Sequence, residues 1–93
     1  MGKSHKRLEK VADAFTTEVA ARFPGVEQEV SFEERGGYEV WVWVFLPVEL
    51  MTRYWQIEEE ISEIIERLIE ETGVNIIAGV RTRNPELVPA RGK

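Results

Sequence analysis

The stretch Tyr38-Glu39-Val40-Trp41-Val42-Trp43-Val44-Phe45-Leu46 decides how this chain folds. Side chains on a β-strand alternate between two faces. Tyr38, Val40, Val42, Val44 and Leu46 are therefore expected on one face, and Trp41, Trp43 and Phe45 on the other. Neither set is polar. A strand of this kind has to be covered on both sides, and the remainder of a 93-residue chain is small for two covers.

Working outward, residues 26–34 alternate as well. Val26, Gln28, Val30 and Phe32 share one face, and Glu27, Glu29, Ser31 and Glu33 share the other, which predicts an edge strand with one wet side. Arg35-Gly36-Gly37 between the two runs predicts a tight hairpin, since glycine accepts the positive φ that such turns demand. Upstream, Leu8, Val11, Ala12, Phe15, Val19 and Phe23 recur at three- and four-residue steps and predict an amphipathic helix from Ser4 to Phe23. Ser4 is placed to cap it, and Pro24-Gly25 to stop it. Downstream, Pro47 ends the aromatic strand. Tyr54, Ile57, Ile61, Ile64 and Leu68, widened by Trp55, Ile65 and Ile69, predict a second helix from about Met51 to Thr72, closed by Gly73. A last strand over residues 75–83 sets Ile76, Ala78, Val80 and Thr82 on one face and Ile77, Gly79, Arg81 and Arg83 on the other. Asn84-Pro85 breaks it.

The element order is helix, strand, strand, helix, strand. A strand–helix–strand crossover is right-handed and joins parallel strands, which puts the aromatic strand in the centre of the sheet. The expected fold is α+β: a two-layer αββαβ sandwich with a three-stranded mixed sheet and both helices on one face. Residues 1–93 read as a single domain, with an ordered core over about 4–84 and a flexible tail over 85–93. The succession of helix, Pro24-Gly25-Val26 turn, glycine hairpin, helix and final strand resembles the cytoplasmic domain of cation diffusion facilitators over about residues 5–83. The likeness is one of layout and implies pairing of two copies. Members of that family hold metal through histidine and acidic residues; here the one histidine, His5, stands at the start of the first helix, and no metal ligand is carried over.

Composition is globular, at 43% hydrophobic and 31% charged. No run approaches the ~18 apolar residues of a membrane span, and Met1–Arg7 lacks the apolar core of a signal peptide, so no membrane and a cytoplasmic location are expected. With no cysteine there is no disulfide, thiol nucleophile or thiolate metal site. The net charge of −5 is uneven: residues 1–10 and 81–93 each carry +3, and residues 11–80 carry −11. An acidic body repels polyanions over most of its surface, which argues against nucleic acid as a partner.

Catalytic groupings are sparse. Ser4, His5 and Asp13 offer a triad only at a terminus with nothing rigid to fix it. Arg35-Gly36-Gly37 has neither the spacing nor the lysine of a phosphate loop. Glu59, Glu63, Glu66 and Glu70 fall on one flank of the second helix and could hold Mg²⁺ or Mn²⁺ through oxygen; the plainer reading is a solvated face, with Glu63–Arg67 as an i,i+4 ion pair. No catalytic residue and no cofactor are assigned.

The candidate site is the aromatic sheet face: Trp41, Trp43, Phe45 and Ile77, a gap at Gly79, and the charges Glu29, Glu33, Arg81 and Arg83 around it. Three rings of roughly 150–250 Å² each represent on the order of 10 kcal/mol of gross burial. Either the valines face outward, or the tail covers the rings, or a partner does. The expected function is a small, acidic, non-catalytic module that self-associates as a homodimer through this face, or holds another protein there. The alternatives are a binding domain for a planar ligand or single-stranded nucleic acid on the same rings, and a divalent-metal-dependent activity on the acidic helix.

Overall fold

A computed structural model gives the architecture and describes residues 5–82. Helix α1 (His5–Arg22) leads to strand β1 (Glu27–Ser31), then β2 (Val40–Phe45), a 3₁₀ segment (Val48–Arg53), helix α2 (Tyr54–Thr72) and strand β3 (Ile76–Arg81). The sheet order is β1-β2-β3, antiparallel between β1 and β2 and parallel between β2 and β3. This is the expected αββαβ layout with the aromatic strand in the centre. The Ser4 cap, Arg83 and the tail 85–93 lie outside the described residues.

The valine face is the core. Val40 and Val44 are wholly shielded and cluster with Phe15 and Val19 of α1 and with Ile57, Ile61 and Ile64 of α2. Both helices therefore pack on that side. The intervening Trp41, Trp43 and Phe45 are only half-buried.

The hairpin turns on Gly36 and Gly37, with φ of 60° and 85°. Positive φ at both central residues suits a two-residue turn whose twist matches the strands, and Arg35 and Tyr38 exchange both backbone hydrogen bonds across it at 3.0 Å. Further along, Ser31 pairs with Trp41. One more residue thus lies on the first arm (Phe32, Glu33, Glu34) than on the second (Glu39, Val40). This bulge re-phases the arm, and Phe32 stays with Val30 on the helix side, partly buried against the core.

A second irregularity corrects an expectation. The amides of Glu39 and Val40 both donate to the Asn75 carbonyl, at 2.8 and 3.2 Å, and the buried Glu39 carboxylate accepts from the Asn75 amide at 3.2 Å. Alternation breaks there, so Tyr38 does not continue the valine row. It packs edge-on against Trp41, ring centroids 5.7 Å apart.

The second helix begins at Tyr54, not Met51, because residues 48–53 wind as a tighter 3₁₀ turn after Pro47. Its end is as expected: Gly73 sits at φ 74° and donates to the Ile69 carbonyl at 2.9 Å. Arg67 pairs with Glu18 of α1, Nη1 to Oε2 being 3.2 Å, and more loosely with Glu71 at 3.9 Å. Glu63 is not its partner: Glu63 projects outward, whereas Glu18 lies across the helix–helix seam. Arg22 joins the same cluster, reaching Glu18 at 2.9 Å and Glu60 at 3.6 Å. No helix among the described residues is long and apolar enough to cross a membrane.

This packing can be checked in two ways. Hydrogen bonding from Arg67 holds the Glu18 carboxyl below its usual range, against a smaller opposing push from burial. A depressed folded value means the stabilisation is present above the ordinary glutamate pKa and disappears as pH falls through the folded one. Glu18→Gln is therefore expected to melt slightly earlier than the wild type at pH 7, with the two melting curves converging below pH ~4. Second, Tyr54 donates its hydroxyl to the Val80 carbonyl at 2.7 Å. Burial raises the Tyr54 pKa, so the proton is in place at neutral pH. Tyr54→Phe should cost about 1 kcal/mol in urea unfolding.

Candidate interaction face of the sheet

The face away from the helices is built by register. Trp43 lies between Glu29 on β1 and Gly79 on β3; Trp41 lies between Ser31 and Ile77; Phe45 lies between Glu27 and Arg81. Side chains paired in this way share a side of the sheet. The structure thus gathers Trp41, Trp43, Phe45, Ile77, Gly79, Arg81 and Glu29 on one surface. Glu33 is beyond the end of β1, level with the hairpin and about 20 Å along the strands from Arg81. Arg83 lies outside the described residues. Among those residues, no helix or strand packs on this face.

Gly79 is the gap that the middle tryptophan fills. A Cβ at this position would stand 2.2 Å from Cζ3 and 2.6 Å from Cε3 of Trp43. Only glycine lets the six-membered ring lie down on β3. Two residues on, and so on the same side, Arg81 brings its guanidinium carbon to 4.0 Å from the Trp43 ring centroid. Arg35 from the hairpin stands 5.3 Å from the Trp41 ring, and Tyr38 meets the same ring edge-on. Each indole carries a guanidinium over its electron-rich face. One stack crosses the parallel β2–β3 pair and the other comes from the antiparallel hairpin, and neither has a motif in the sequence. The alternation placed Arg81 on this face, but Arg35 and Tyr38 were missed, because they belong to a turn and a bulge where period-two reading stops.

Electrostatically the face has two margins. Glu27 and Glu29 line the β1 edge and Arg81 the β3 edge, with rings between. Neither Arg35 nor Arg81 forms a salt bridge among the described residues. The guanidinium over Trp43 also occupies ring surface on which a planar ligand or a base would have to stack, which weakens that alternative. As for the acidic helix, Glu59, Glu63, Glu66 and Glu70 are all exposed or half-exposed along its outer side, and no group of three or more His, Asp or Glu side chains among the described residues could hold a metal ion.

No family model, no curated protein and no solved structure matches this chain.

The tight Trp43–Gly79 contact yields a prediction. Gly79→Ala should displace the indole and lower stability by about 1–3 kcal/mol, as overpacking does. The check is urea unfolding followed by tryptophan fluorescence, with a red-shifted native emission accompanying the lower midpoint.

Proposed function

We propose that this protein is a non-catalytic interaction module that pairs with a second copy of itself through the aromatic face of its sheet. The observation that carries this reading is the row Trp41, Trp43 and Phe45, half-buried on a face that none of the described helices covers. Rings so placed are the usual stuff of an interface centre.

The distribution of charge supports a second copy as the occupant, and it selects one symmetry. Two sheets packing face to face lie about 10 Å apart and can be related by a two-fold axis along the strands or across them. An axis across the strands would set the β1 margin of one copy over β1 of the other, glutamate against glutamate. An axis along the strands sets β1 over the partner's β3 at an unchanged level. Glu27, Phe45 and Arg81 share one level by register. Arg81 of each copy then meets the acidic β1 margin of the other twice over, and the central tryptophans meet on the axis.

The area is modest. Even three fully buried rings of roughly 150–250 Å² each stay below the ~800 Å² per partner of a standard interface. Association is accordingly reversible and concentration-dependent. Sedimentation equilibrium from 5 µM to 1 mM should show the mass rising from one chain to two. Trp43→Glu should remain monomeric throughout while keeping its far-ultraviolet dichroism. A wild-type protein that stays monomeric at 1 mM removes the proposal.

A further inference from the structure

We propose that residues 83–90 of this chain, the segment directly after β3, fold back as a strap over the aromatic face of a single copy, and that a second copy must displace it to pair. The displacement rests on the homodimer proposed above; the contact itself does not.

The point at which the chain leaves the sheet favours this. Arg81, the last residue of β3, is level with Phe45. The chain therefore departs at one end of the row Phe45, Trp43, Trp41, and the described residues stop at Thr82, one residue further on. The sequence continues Arg83-Asn84-Pro85-Glu86-Leu87-Val88-Pro89-Ala90. Asn-Pro marks a reversal of direction, and three residues provide up to ~10 Å of chain to lift it from the sheet onto the rings.

Composition selects the conformation. Pro85 and Pro89 have no N–H to offer a sheet edge, so this segment makes a poor fourth strand beside β3. The fixed φ of proline suits polyproline II instead, with three residues per turn. In that conformation Pro85 and Val88 fall on one side and Leu87 and Ala90 on the next, while Arg83, Glu86 and Pro89 fall on the third. The strap is thus apolar on two adjoining sides and carries its charges away from them. Its length fits as well. Pro85 to Ala90 measures about 15 Å at 3.1 Å per residue, and Phe45 to Trp41 about 13 Å at the rise of a strand.

The aromatic face has the chemistry to hold such a segment. Aromatic rows take polyproline II peptides because these are rigid before they bind and lose little freedom on docking. The Trp41 Nε1 donor is shielded from solvent yet bonds to nothing among the described residues, and a donor in that position requires an acceptor. A polyproline II backbone makes no internal hydrogen bonds, so its carbonyls are free to accept; the opposing face of a second sheet presents side chains only. The tether settles the competition at low concentration. A link of a few residues holds the strap at an effective concentration on the order of millimolar, which a second copy has to match.

The test uses the full chain with ¹³C-labelled leucine and valine methyls, at about 50 µM. Leu87 and Val88 methyls should resonate upfield of their random-coil positions and show nuclear Overhauser contacts to the Trp41 and Trp43 ring protons, unchanged on dilution. Leu87→Ser/Val88→Ser should lose the contacts, shift tryptophan emission to the red and dimerise about tenfold more tightly, as expected where the strap leaves only a tenth of the faces free. Random-coil methyl positions overturn the strap. So do contacts that an isotope-filtered spectrum of mixed labelled and unlabelled protein assigns to another copy. A variant that dimerises no more tightly than the wild type overturns the displacement. Methyl–ring contacts that persist while wild type and variant both stay monomeric at 1 mM support the strap and remove the homodimer, so the two failures are separable.

Discussion

The structure depends on the parity of one strand. Because β2 alternates valine with aromatic residues, the side that takes the helices decides whether valines or large rings are left on the other. The helices take the valines, and packing explains the choice. Valine is small and β-branched, and its row forms an even surface on which Phe15 and Val19 of one helix and Ile57, Ile61 and Ile64 of the other can settle without voids. Rows of indoles would hold the helices further off and leave gaps between them. The sheet then has its third strand set by the crossover, and the register of that strand decides what flanks each ring.

Much of this was legible because it depended on periodicity. The two helices, the glycine hairpin, the left-handed stop at Gly73 and the face assignments of Val30, Phe32, Ile77, Gly79 and Arg81 all come from spacing and from residues with special backbone freedom. The exceptions occur where spacing carries no information. Two adjacent amides share the Asn75 carbonyl, and Tyr38 packs edge-on against Trp41 instead of continuing the valine row; no count of twos detects a bulge. Arg67 has a suitable glutamate four residues before it, yet it bonds to Glu18, forty-nine residues away. A local pair gains a few tenths of a kcal/mol; a bond across the seam of two packed helices meets a partner already held in place. The 3₁₀ turn over 48–53 postponed the second helix because the chain must climb from the end of β2 to the layer above in a few residues.

The candidate site was legible in its members and not in its geometry. The aromatic row and its charged margins came from alternation, while the guanidinium stacks did not. Glu33 has the same alternation as Glu27 and Glu29, but β1 stops at Ser31, and a residue past the end of a strand no longer shares its surface.

The strength of the aromatic face as a docking surface depends on how far it already shields itself. Fully open, its three rings represent on the order of 10 kcal/mol of gross burial. Gly79 lets one ring lie on the sheet, Arg81 covers part of it, and Arg35 and Tyr38 cover part of its neighbour. If about half of the ring surface is left, the remaining drive is about 5 kcal/mol, near the bottom of the ~4–15 kcal/mol that association costs in lost freedom. Apolar burial alone then only just balances association. In the proposed dimer the decision would pass to the charges at the margins, where the Arg35 and Arg81 guanidiniums rest on rings. Such a dimer would be held by its rings and decided by its arginines. Its salt dependence should therefore be larger than its hydrophobic centre suggests.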